Sequence, residues 1–479
     1  MLKNLPKERS MTLSLSLRAA GFAAAVLLTA ASSASAQDAK RPVTFAKDVA
    51  PILQEKCQNC HRPGEVAPMS LLTYQDARPW ARSIREKVMS RLMPPWHIDS
   101  TVGIQTFKND LRLTQEQIDT IVRWVDTGAP LGDPKDLPPA RVFDTNNEWH
   151  LAAQFGQKEP DLIIRATPYT MEAKTQDKWW KPITDLNLTE IRWARAVETR
   201  TANIDGRRIL HHAVASLIQD ENLAPPEFRL SRADTGDDDD DTTPAGDRGA
   251  GLFSEWAIGK TGDVYREGSG KLLLPGARIS WDIHLSQAMG GDKPVTAEVE
   301  LGIYLYPKDY TPKYRTILTN MGASRGRGID IPPGQIAATQ GFTVLRRGPA
   351  RLENFQPHMH LRGKAMSLEA ILPNGTRQML SFVNNFQFNW MNSYEYTDDS
   401  APLLPQGTVI AVTAWHDNTP GNRNNPDPTQ WVGNGDRSID EMAHAWVNVT
   451  YLSDADYKAE LAKRKAKQAA TSTQDQQQQ

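Results

Sequence analysis

Apolar residues near the start of the chain recur with the spacing of an α-helix. One helical face collects four of them, namely Phe45, Val49, Ile52 and Leu53. A second helix is predicted in the stretch "LTQEQIDTIVRWVDTGAP", where Thr114 and Gln117 can form a capping box and Gly128 provides a stop. These patterns predict a small helical unit that ends before residue 130.

Beyond Pro130 the helical period gives way to short runs in which apolar and polar residues alternate. The runs are "RILHHAVASLI", "ARISWDIHLSQ", "AEVELGIYLYP", "GKAMSLEAIL", "FQFNW" and "TVIAVTAW". Turn-forming residues separate them, as in Pro373-Asn374-Gly375. Many short strands of this kind predict antiparallel sandwiches, two of them in tandem, joined to the helical unit by the proline-rich linker "LGDPKDLPPARV".

The two ends of the chain are predicted to lie outside these folded units. Residues 1–36 carry basic positions, the apolar run "AAGFAAAVLLTAA" and the small-residue site Ala34-Ser35-Ala36, which is the pattern of a cleavable signal peptide. No later segment approaches the roughly 20 apolar residues of a transmembrane helix. We therefore predict a periplasmic or secreted chain that is not an integral membrane protein. Residues 456–479 are predicted to be a disordered tail, after a short charged helix from Lys458.

Charge indicates neither nucleic acid nor calcium as a partner. The formal net charge is −2, which gives no reason to expect a polyanion. The acidic stretch "SRADTGDDDDDTTPAGDRG" lacks the oxygen spacing of a known calcium loop, so a solvated surface loop is preferred to a calcium site there.

Both cysteines of the chain, Cys57 and Cys60, lie in the pentapeptide "CQNCH" that ends at His61. Two thiols at this spacing can add to the vinyl groups of a haem, and the histidine that follows can ligate the iron. The alternative is a disulfide or dithiol beside a chance histidine. A thioredoxin-like site would adjoin a strand, whereas the predicted surroundings are helical, so one covalent haem c is the preferred interpretation. The unit resembles a small class I cytochrome c domain.

The sixth iron ligand is predicted in "SRLMPPWHID". Two prolines after Met93 keep the chain extended there, which would let the thioether point at the iron. An ordinary core role is the alternative for any single methionine. Three other residues are rival ligands, namely Met69, Met89 and His97.

Five histidines of the β region have spacings that suit a metal. His358 and His360 share one face of a predicted strand and can present two imidazoles to one ion. His211 and His212 are neighbours, which face opposite ways on a regular strand, so both can bind one metal only if the strand is bent or bulged. His284 lies on a third predicted strand. Hydrogen-bonded structural histidines are the alternative for each group.

The order of these residues resembles the copper type II, ascorbate-dependent monooxygenases, which include peptidylglycine α-hydroxylating and dopamine β-monooxygenases. The resemblance covers roughly residues 140–455 and is most specific at "HHAV", "PHMHLRGK" and "DNTPGNRNNPDPTQWVGNGDRSIDEM". It is closer still to bacterial members that follow a cytochrome c domain. The family fold implies two jelly-roll-like sandwiches, each holding one copper, on either side of a solvent-filled cleft. The implied ligands are His211, His212 and His284 for the first copper, and His358, His360 and Met442 for the second.

The resemblance implies that the copper at His358, His360 and Met442 is the catalytic one, where O2 is bound. A thioether favours Cu(I), which fits that role, and three histidines suit a copper that stores one electron. The chain departs from its eukaryotic relatives because the haem would use both cysteines and leave none for disulfides. His416 and His444 are possible partners of the ligands or rival ligands.

The predicted substrate is a small molecule, neutral or aromatic. In the peptide-amidating relatives, an arginine, an asparagine and a tyrosine bind the peptide carboxylate. The matching positions here are Gln356, His444 and Trp446, which lack the guanidinium and make the wall more apolar.

Together these inferences predict a multidomain fold, with a small all-α cytochrome c domain followed by two tandem all-β jelly-roll-like sandwiches. The predicted segments are 1–36 (signal peptide), 37–135 (cytochrome c-like), 136–345 (first sandwich), 346–455 (second sandwich) and 456–479 (tail). The predicted function is a dicopper monooxygenase in which the haem takes electrons from a periplasmic donor and feeds the coppers. The electrons are predicted to pass from the haem to the copper held by His211, His212 and His284. The alternatives are a non-catalytic copper and haem electron-transfer or copper-binding protein, and a haem protein with metal-free histidine clusters.

Overall fold

The computed structural model describes residues 41–63, 65, 67–143, 149–230, 250–286, 291–323 and 328–477. The predicted signal peptide, residues 1–36, and the aspartate-rich stretch, residues 231–249, lie outside the described residues. Within the described part, no helix is both long and apolar enough to cross a membrane.

The N-terminal region contains short helices. They are α1 (Ala50–Lys56), α2 (Tyr74–Ala77), α3 (Ala81–Met89) and α4 (Gln115–Asp126). A π-helical turn, Phe45–Val49, leads into α1, and the four apolar residues predicted to share a helical face are all buried. The predicted capping box of α4 is present, because the Thr114 hydroxyl accepts from the Gln117 N–H and the Gln117 side chain accepts from the Thr114 N–H.

The predicted fold class is wrong in its first part, because no small all-α cytochrome c domain is evident among the described residues. The structure is mostly β, with 35% strand and 18% helix. The physical reason lies between α3 and α4, where the chain leaves the helices and lies against distant strands. Ile98 and Phe107 form β-bridges with Val383 and Tyr396, and Trp96 is buried in the same core as the strands of residues 350–450. The helical segments therefore do not fold as a separate all-α unit.

Twelve described strands lie between residues 162 and 305. They are β1 (Leu162–Arg165), β2 (Tyr169–Met171), β3 (Lys178–Trp180), β4 (Ile183–Asp185), β5 (Arg192–Thr201), β6 (Leu210–Ile218), β7 (Ala250–Ala257), β8 (Gly262–Val264), β9 (Ser269–Leu273), β10 (Arg278–Leu285), β11 (Val295–Ala297) and β12 (Val299–Leu305). The antiparallel sheet β3-β10-β6-β7 faces β1-β12-β5-β9, and a core of apolar side chains lies between them.

Twelve more described strands follow. They are β13 (Tyr314–Ala323), β14 (Asp330–Ile331), β15 (Ile336–Val344), β16 (Ala350–Leu352), β17 (Asn354–His358), β18 (Gly363–Ile371), β19 (Arg377–Val383), β20 (Tyr394–Glu395), β21 (Leu403–Leu404), β22 (Val409–Asp417), β23 (Val432–Gly433) and β24 (Ala443–Tyr451). The sheet β15-β22-β18-β19 packs on a layer in which β24 lies between β13 and the pair β16 and β17.

One sheet joins the two β regions. β9 pairs in parallel with β13 through Ser269 and Tyr314, so the order β1-β12-β5-β9-β13-β24 runs through both regions. β13 and β15 lie before the predicted boundary at residue 345, yet they pair with β24 and β22 beyond it. By strand pairing, the second region therefore begins near Tyr314, and that predicted boundary is corrected.

Two other segment predictions are corrected by the structure. The run "FQFNW", residues 386–390, was predicted as a strand but forms turns between β19 and β20. Its aromatic residues alternate as they would on a strand, but tertiary contacts decide the conformation, and Phe388 reaches a histidine cluster described below. The tail was predicted to be mostly disordered, whereas α5 (Asp454–Gln477) is a helix whose Arg464 donates to the Ala401 carbonyl at 2.7 Å.

The backbones of two strands in the second β region lie close together at Gly341 on β15. A Cβ atom there would lie 2.0 Å from the carbonyl carbon of Gly322 on β13. Gly322 pairs with His444 on β24. The contact between Gly341 and Gly322 therefore helps to position β24, the strand that carries His444.

We expect Gly341→Ala to lower the free energy of unfolding by at least about 3 kcal/mol, because backbone cannot move aside as a side-chain tip can. The measurement is denaturant unfolding of the purified chain. Gly433→Ala is the matched control, since its Cβ would meet nothing nearer than 3.9 Å, and its cost should stay below about 1 kcal/mol. Equal stability of the two variants would contradict the close approach.

Candidate metal centre

His211, His212 and His284 converge because β6 is bulged. His284 on β10 pairs with His212 on β6, and the next pair is Leu285 with Leu210, so His211 is the extra residue of a β-bulge. The ring centroids lie 4.9 to 5.5 Å apart. One ligand atom from each histidine lies within 4.8 Å of the others. The predicted condition for His211 and His212 to share one metal, a bulge in their strand, is therefore met.

Two ring nitrogens of this first triad are buried without a hydrogen-bond partner among the described residues, His211 Nε2 and His284 Nδ1. The other nitrogen of His284, Nε2, is 2.9 Å from Asp177 Oδ2, and Trp179 stacks on the ring at 4.4 Å. A carboxylate on one imidazole nitrogen is the usual support for a metal on the other. Leaving a buried polar atom unpaired costs about 1 to 3 kcal/mol, which a bound ion would offset.

His358 and His360 lie where β17 ends, with ring centroids 5.3 Å apart. His360 Nδ1 is 3.1 Å from the Asp440 carbonyl, which leaves Nε2 as the ring atom available to a metal. The His360 N–H donates to the buried Glu441 carboxylate at 2.9 Å. The pair is thus held by the chain that leads into β24.

Met442, the third predicted ligand of this second set, is half-buried at the start of β24. Its main-chain carbonyl is 3.1 Å from His416 Nε2. The preceding residue, Glu441, also accepts from the Arg362 N–H at 2.6 Å, so the backbone on both sides of the site is tied together. His416 therefore acts as a support for the Met442 backbone.

His444 joins the imidazole cluster directly. It pairs with His358 across β17 and β24, and their ring centroids are 4.9 Å apart. Trp446 follows on the same face of β24, 4.4 Å from His358 and 6.5 Å from His212. His444, predicted to be a partner of the ligands or a rival ligand, lies within the cluster.

The two predicted triads touch each other. The His212 and His358 ring centroids are only 5.7 Å apart, and both side chains are buried. Phe388 contacts both sets, because its ring centroid is 4.8 Å from that of His211 and 6.3 Å from that of His360. The expected solvent-filled cleft between the two sets is therefore corrected to one continuous cluster of six imidazoles, His211, His212, His284, His358, His360 and His444.

Burial disfavours the charged form of five imidazoles of the cluster, those of His211, His212, His358, His360 and His444. It lowers the pKa of His211 and of His444 to about 3, and that of His360 to about 4. For His212 and His358, burial holds the pKa well below its ordinary value, and neighbouring imidazoles lower it further. Neutral imidazole is the form that binds a metal, so these residues are prepared as ligands at neutral pH.

The pentapeptide "CQNCH" forms a helical turn in which the Cys60 and His61 N–H groups donate to the Cys57 carbonyl. Both thiols are free, and burial raises the pKa of Cys57 to about 12. His61 Nδ1 lies 3.3 Å from the Met69 carbonyl, which leaves Nε2 for a metal. The disulfide alternative is thus absent from this structure.

Met93 and its rivals differ in their surroundings. Met93 is half-buried just after α3, whereas Met89 is 52% exposed. His97 is buried against the second β region, where its N–H donates to the Tyr394 hydroxyl at 3.2 Å. The main-chain carbonyl of Met69 contacts His61 at Nδ1, the ring nitrogen that is not available to a metal. Met93 remains the predicted sixth ligand.

Residues 388–394, here called the strap, connect this N-terminal region to the histidine cluster. Asn392 Nδ2 donates to the Pro95 carbonyl at 2.5 Å, and Met391 Sδ lies 3.1 Å from His358 Nδ1. The sequence analysis missed the strap, together with Asp177 and Glu441. The one sequence pattern that overlaps the strap is the aromatic run "FQFNW", and that run predicted a strand.

No protein-family model and no curated protein matches the chain. Weakly similar solved structures include the major capsid protein P2 from bacteriophage PM2, at 11% identity over 60% of this chain and 99% of that chain, with a TM-score of 0.25. Another is allantoicase, at 9% identity over 52% of this chain and 83% of that chain, with a TM-score of 0.14. A third is the infectious bursal disease virus VP2 subviral particle, at 11% identity over 66% and 76%, with a TM-score of 0.15. Scores this low carry no argument.

We expect the metal-free protein to lose stability as the pH falls from about 6.5 to about 4. Unfolded imidazoles take up protons near pH 6.5, whereas the buried ones stay neutral, so the unfolded state binds more protons over this range. Each such imidazole contributes about 1.4 kcal/mol per pH unit to the slope. The measurement is the free energy of unfolding against pH in the presence of a chelator.

The matched variants for this test are His444→Gln, inside the cluster, and His150→Gln, at an exposed position. The slope of the unfolding free energy against pH should fall in His444→Gln by the amount that corresponds to about one proton, and it should stay unchanged in His150→Gln. Identical slopes in both variants would show that burial does not keep His444 neutral.

Proposed function

We propose that this chain is a periplasmic, copper-dependent monooxygenase that hydroxylates a C–H bond of a small organic substrate with O2. The observation that carries the proposal is a cluster of six imidazoles, five of them buried, with two unpaired ring nitrogens. Such a donor set is costly to bury empty and is chemically suited to copper.

The residues of the cluster fit two copper ions. His211, His212 and His284 would hold one, and His358, His360 and Met442 would hold the other, with a thioether that favours the reduced ion. Copper in these positions would supply one-electron chemistry and activation of O2. The chain itself contributes the fixed ring orientations set by Asp177 and by the Asp440 carbonyl.

The turn at Cys57, Cys60 and His61 fits one covalent haem c. Two free thiols at the required spacing adjoin an imidazole whose Nδ1 is already engaged, with Met93 as the proposed sixth ligand. A haem there would supply a one-electron carrier between a periplasmic donor and the copper ions. Two adjacent residues of the strap link the segment after Met93 to the cluster, because Asn392 contacts Pro95 and Met391 contacts His358.

The wall beside the second triad supports a neutral or aromatic substrate. Gln356 lies two residues before His358 and opposite Trp446, and its Nε2 donates to Glu255 at 2.6 Å. Glu255 is paired with the buried Lys260. The charges of Glu255 and Lys260 are therefore satisfied within the protein, and the Lys260 ammonium is not available to a substrate carboxylate.

A second candidate function is a copper and haem electron-transfer protein without catalysis. The specific observation in its favour is the direct contact of His212 with His358, because short distances between metal sites suit electron relay. The two functions differ in whether a coordination position stays open to O2. Oxygen-dependent product formation with a bound substrate favours the monooxygenase, and rapid electron transfer without product favours the relay.

We expect the purified holoprotein to contain one covalent haem and about two copper ions per chain, since one "CQNCH" and two ligand sets are present. The measurements are acid-acetone extraction and metal analysis after copper reconstitution. Replacing both Cys57 and Cys60 by Ser should abolish covalent haem and leave the copper content unchanged. His212→Ala should lower the copper content and leave the covalent haem unchanged. Extractable haem, or copper near zero in the native chain, would overturn the proposal.

We expect no preference for glycine-extended peptides. Without an arginine at position 356, a peptide carboxylate loses a charge-assisted contact worth about 1.5 to 3 kcal/mol, or about 10- to 100-fold in specificity. The measurement is hydroxylation of a peptide that ends in glycine, compared with the same peptide whose carboxylate is esterified. A clear preference for the free carboxylate would show that another group takes the arginine's role.

A further inference from the structure

Met391 is a buried methionine whose sulfur lies against the proposed copper centre. Its side chain is 2% exposed, and Sδ is 3.1 Å from His358 Nδ1. It belongs to neither predicted ligand set. No sequence pattern points to it, because it lies outside the histidine motifs and is brought near them by the strap.

The strap holds Met391 in place from both sides. On one side Phe388 stacks on His211 at 4.8 Å, and on the other Asn392 donates to the Pro95 carbonyl at 2.5 Å. Tyr394, two residues further on, packs edge-on against Trp96 at 4.7 Å. A methionine side chain is ordinarily flexible, so fixing the neighbouring residues limits where this sulfur can be.

The distance between the two atoms suits two ligands of one ion. Metal–nitrogen and metal–sulfur bonds of about 2.0 and 2.3 Å, the lengths typical of zinc, place the two ligand atoms about 3 Å apart at a near-right angle. A thioether and an imidazole are both accepted by Cu(I). Met442, by comparison, is half-buried and makes its described hydrogen bond through its carbonyl.

We propose that Met391 is a sulfur ligand of the metal held at His358, so that this centre takes two thioethers, Met391 and Met442, with His358 and His360. The inference rests on the proposed copper function and extends it. A second soft ligand stabilises Cu(I) relative to Cu(II), so the centre would favour the reduced ion more strongly than a site with one thioether.

The test is copper K-edge X-ray absorption of the full-length protein, loaded with Cu(I) at both sites. The variants are Met391→Leu, Met442→Leu and, as the matched control, Met366→Leu, which replaces another fully buried methionine. We expect the sulfur scattering per copper to fall to about half in each of the first two variants and to stay unchanged in the control.

Sulfur scattering in Met391→Leu equal to that of the control, with both coppers bound, overturns the inference and leaves the copper function standing. A wild-type chain that takes up no Cu(I) overturns both. If Met391→Leu fails to fold, the test is selenium K-edge absorption of the selenomethionine-labelled Met442→Leu variant. A copper neighbour of selenium in that variant supports Met391 as a ligand, and the absence of such a neighbour overturns the inference.

Discussion

Burial of uncharged imidazoles between two β layers is the constraint on which the rest of this structure depends. His212 and His358 belong to different β regions, yet their rings are 5.7 Å apart. Two protonated imidazoles at that distance in a buried site would repel each other strongly, so both must stay neutral. Burial lowers the pKa of both residues well below its ordinary value, which makes this close approach possible.

The continuous sheet through β9 and β13 explains why the two regions do not stand apart. Ser269 and Tyr314 pair in parallel, which locks the first region against the strand next to β24. A hinge at this position would break main-chain hydrogen bonds as well as apolar contacts. The close contact of the two histidine sets is therefore a consequence of sheet continuity, and it replaces the cleft that tandem sandwiches would leave.

Charged residues are buried beside the cluster and balance one another. Lys260 contacts the carboxylates of Glu255 and Asp263, and Glu255 accepts from Gln356. Removing one partner of such a group leaves an uncompensated buried charge, which is strongly destabilising. The network thus fixes the conformation of Gln356, two residues from His358, and with it the polarity of the wall.

Local pattern was sufficient to predict much of the β structure but not how its parts meet. Alternation correctly indicated the strands that carry His212, His284 and His358, and the capping box of Thr114 gave the start of α4. The error over the all-α domain has a physical origin, because helical periodicity is local, whereas the docking of Trp96 on Tyr394 is a contact between residues 298 positions apart that only tertiary packing decides. The same holds for Met391, whose role depends on the strap and not on its neighbours in sequence.

Exposure within the cluster bears on whether it can act on a substrate. His212, His284 and His358 are buried, whereas His211, Met442 and Phe388 are half-exposed. The rings of His211 and Phe388 lie 4.8 Å apart, so small molecules would approach the cluster at the edge that these two residues form, whereas Trp446 is buried against His358. A relay protein has no need of such an edge, because electrons cross packed protein. A monooxygenase needs it, and Met442, the ligand proposed for the copper at which O2 is bound, is likewise half-buried. The uneven burial of the cluster is therefore a requirement of the proposed catalysis that a relay would not share.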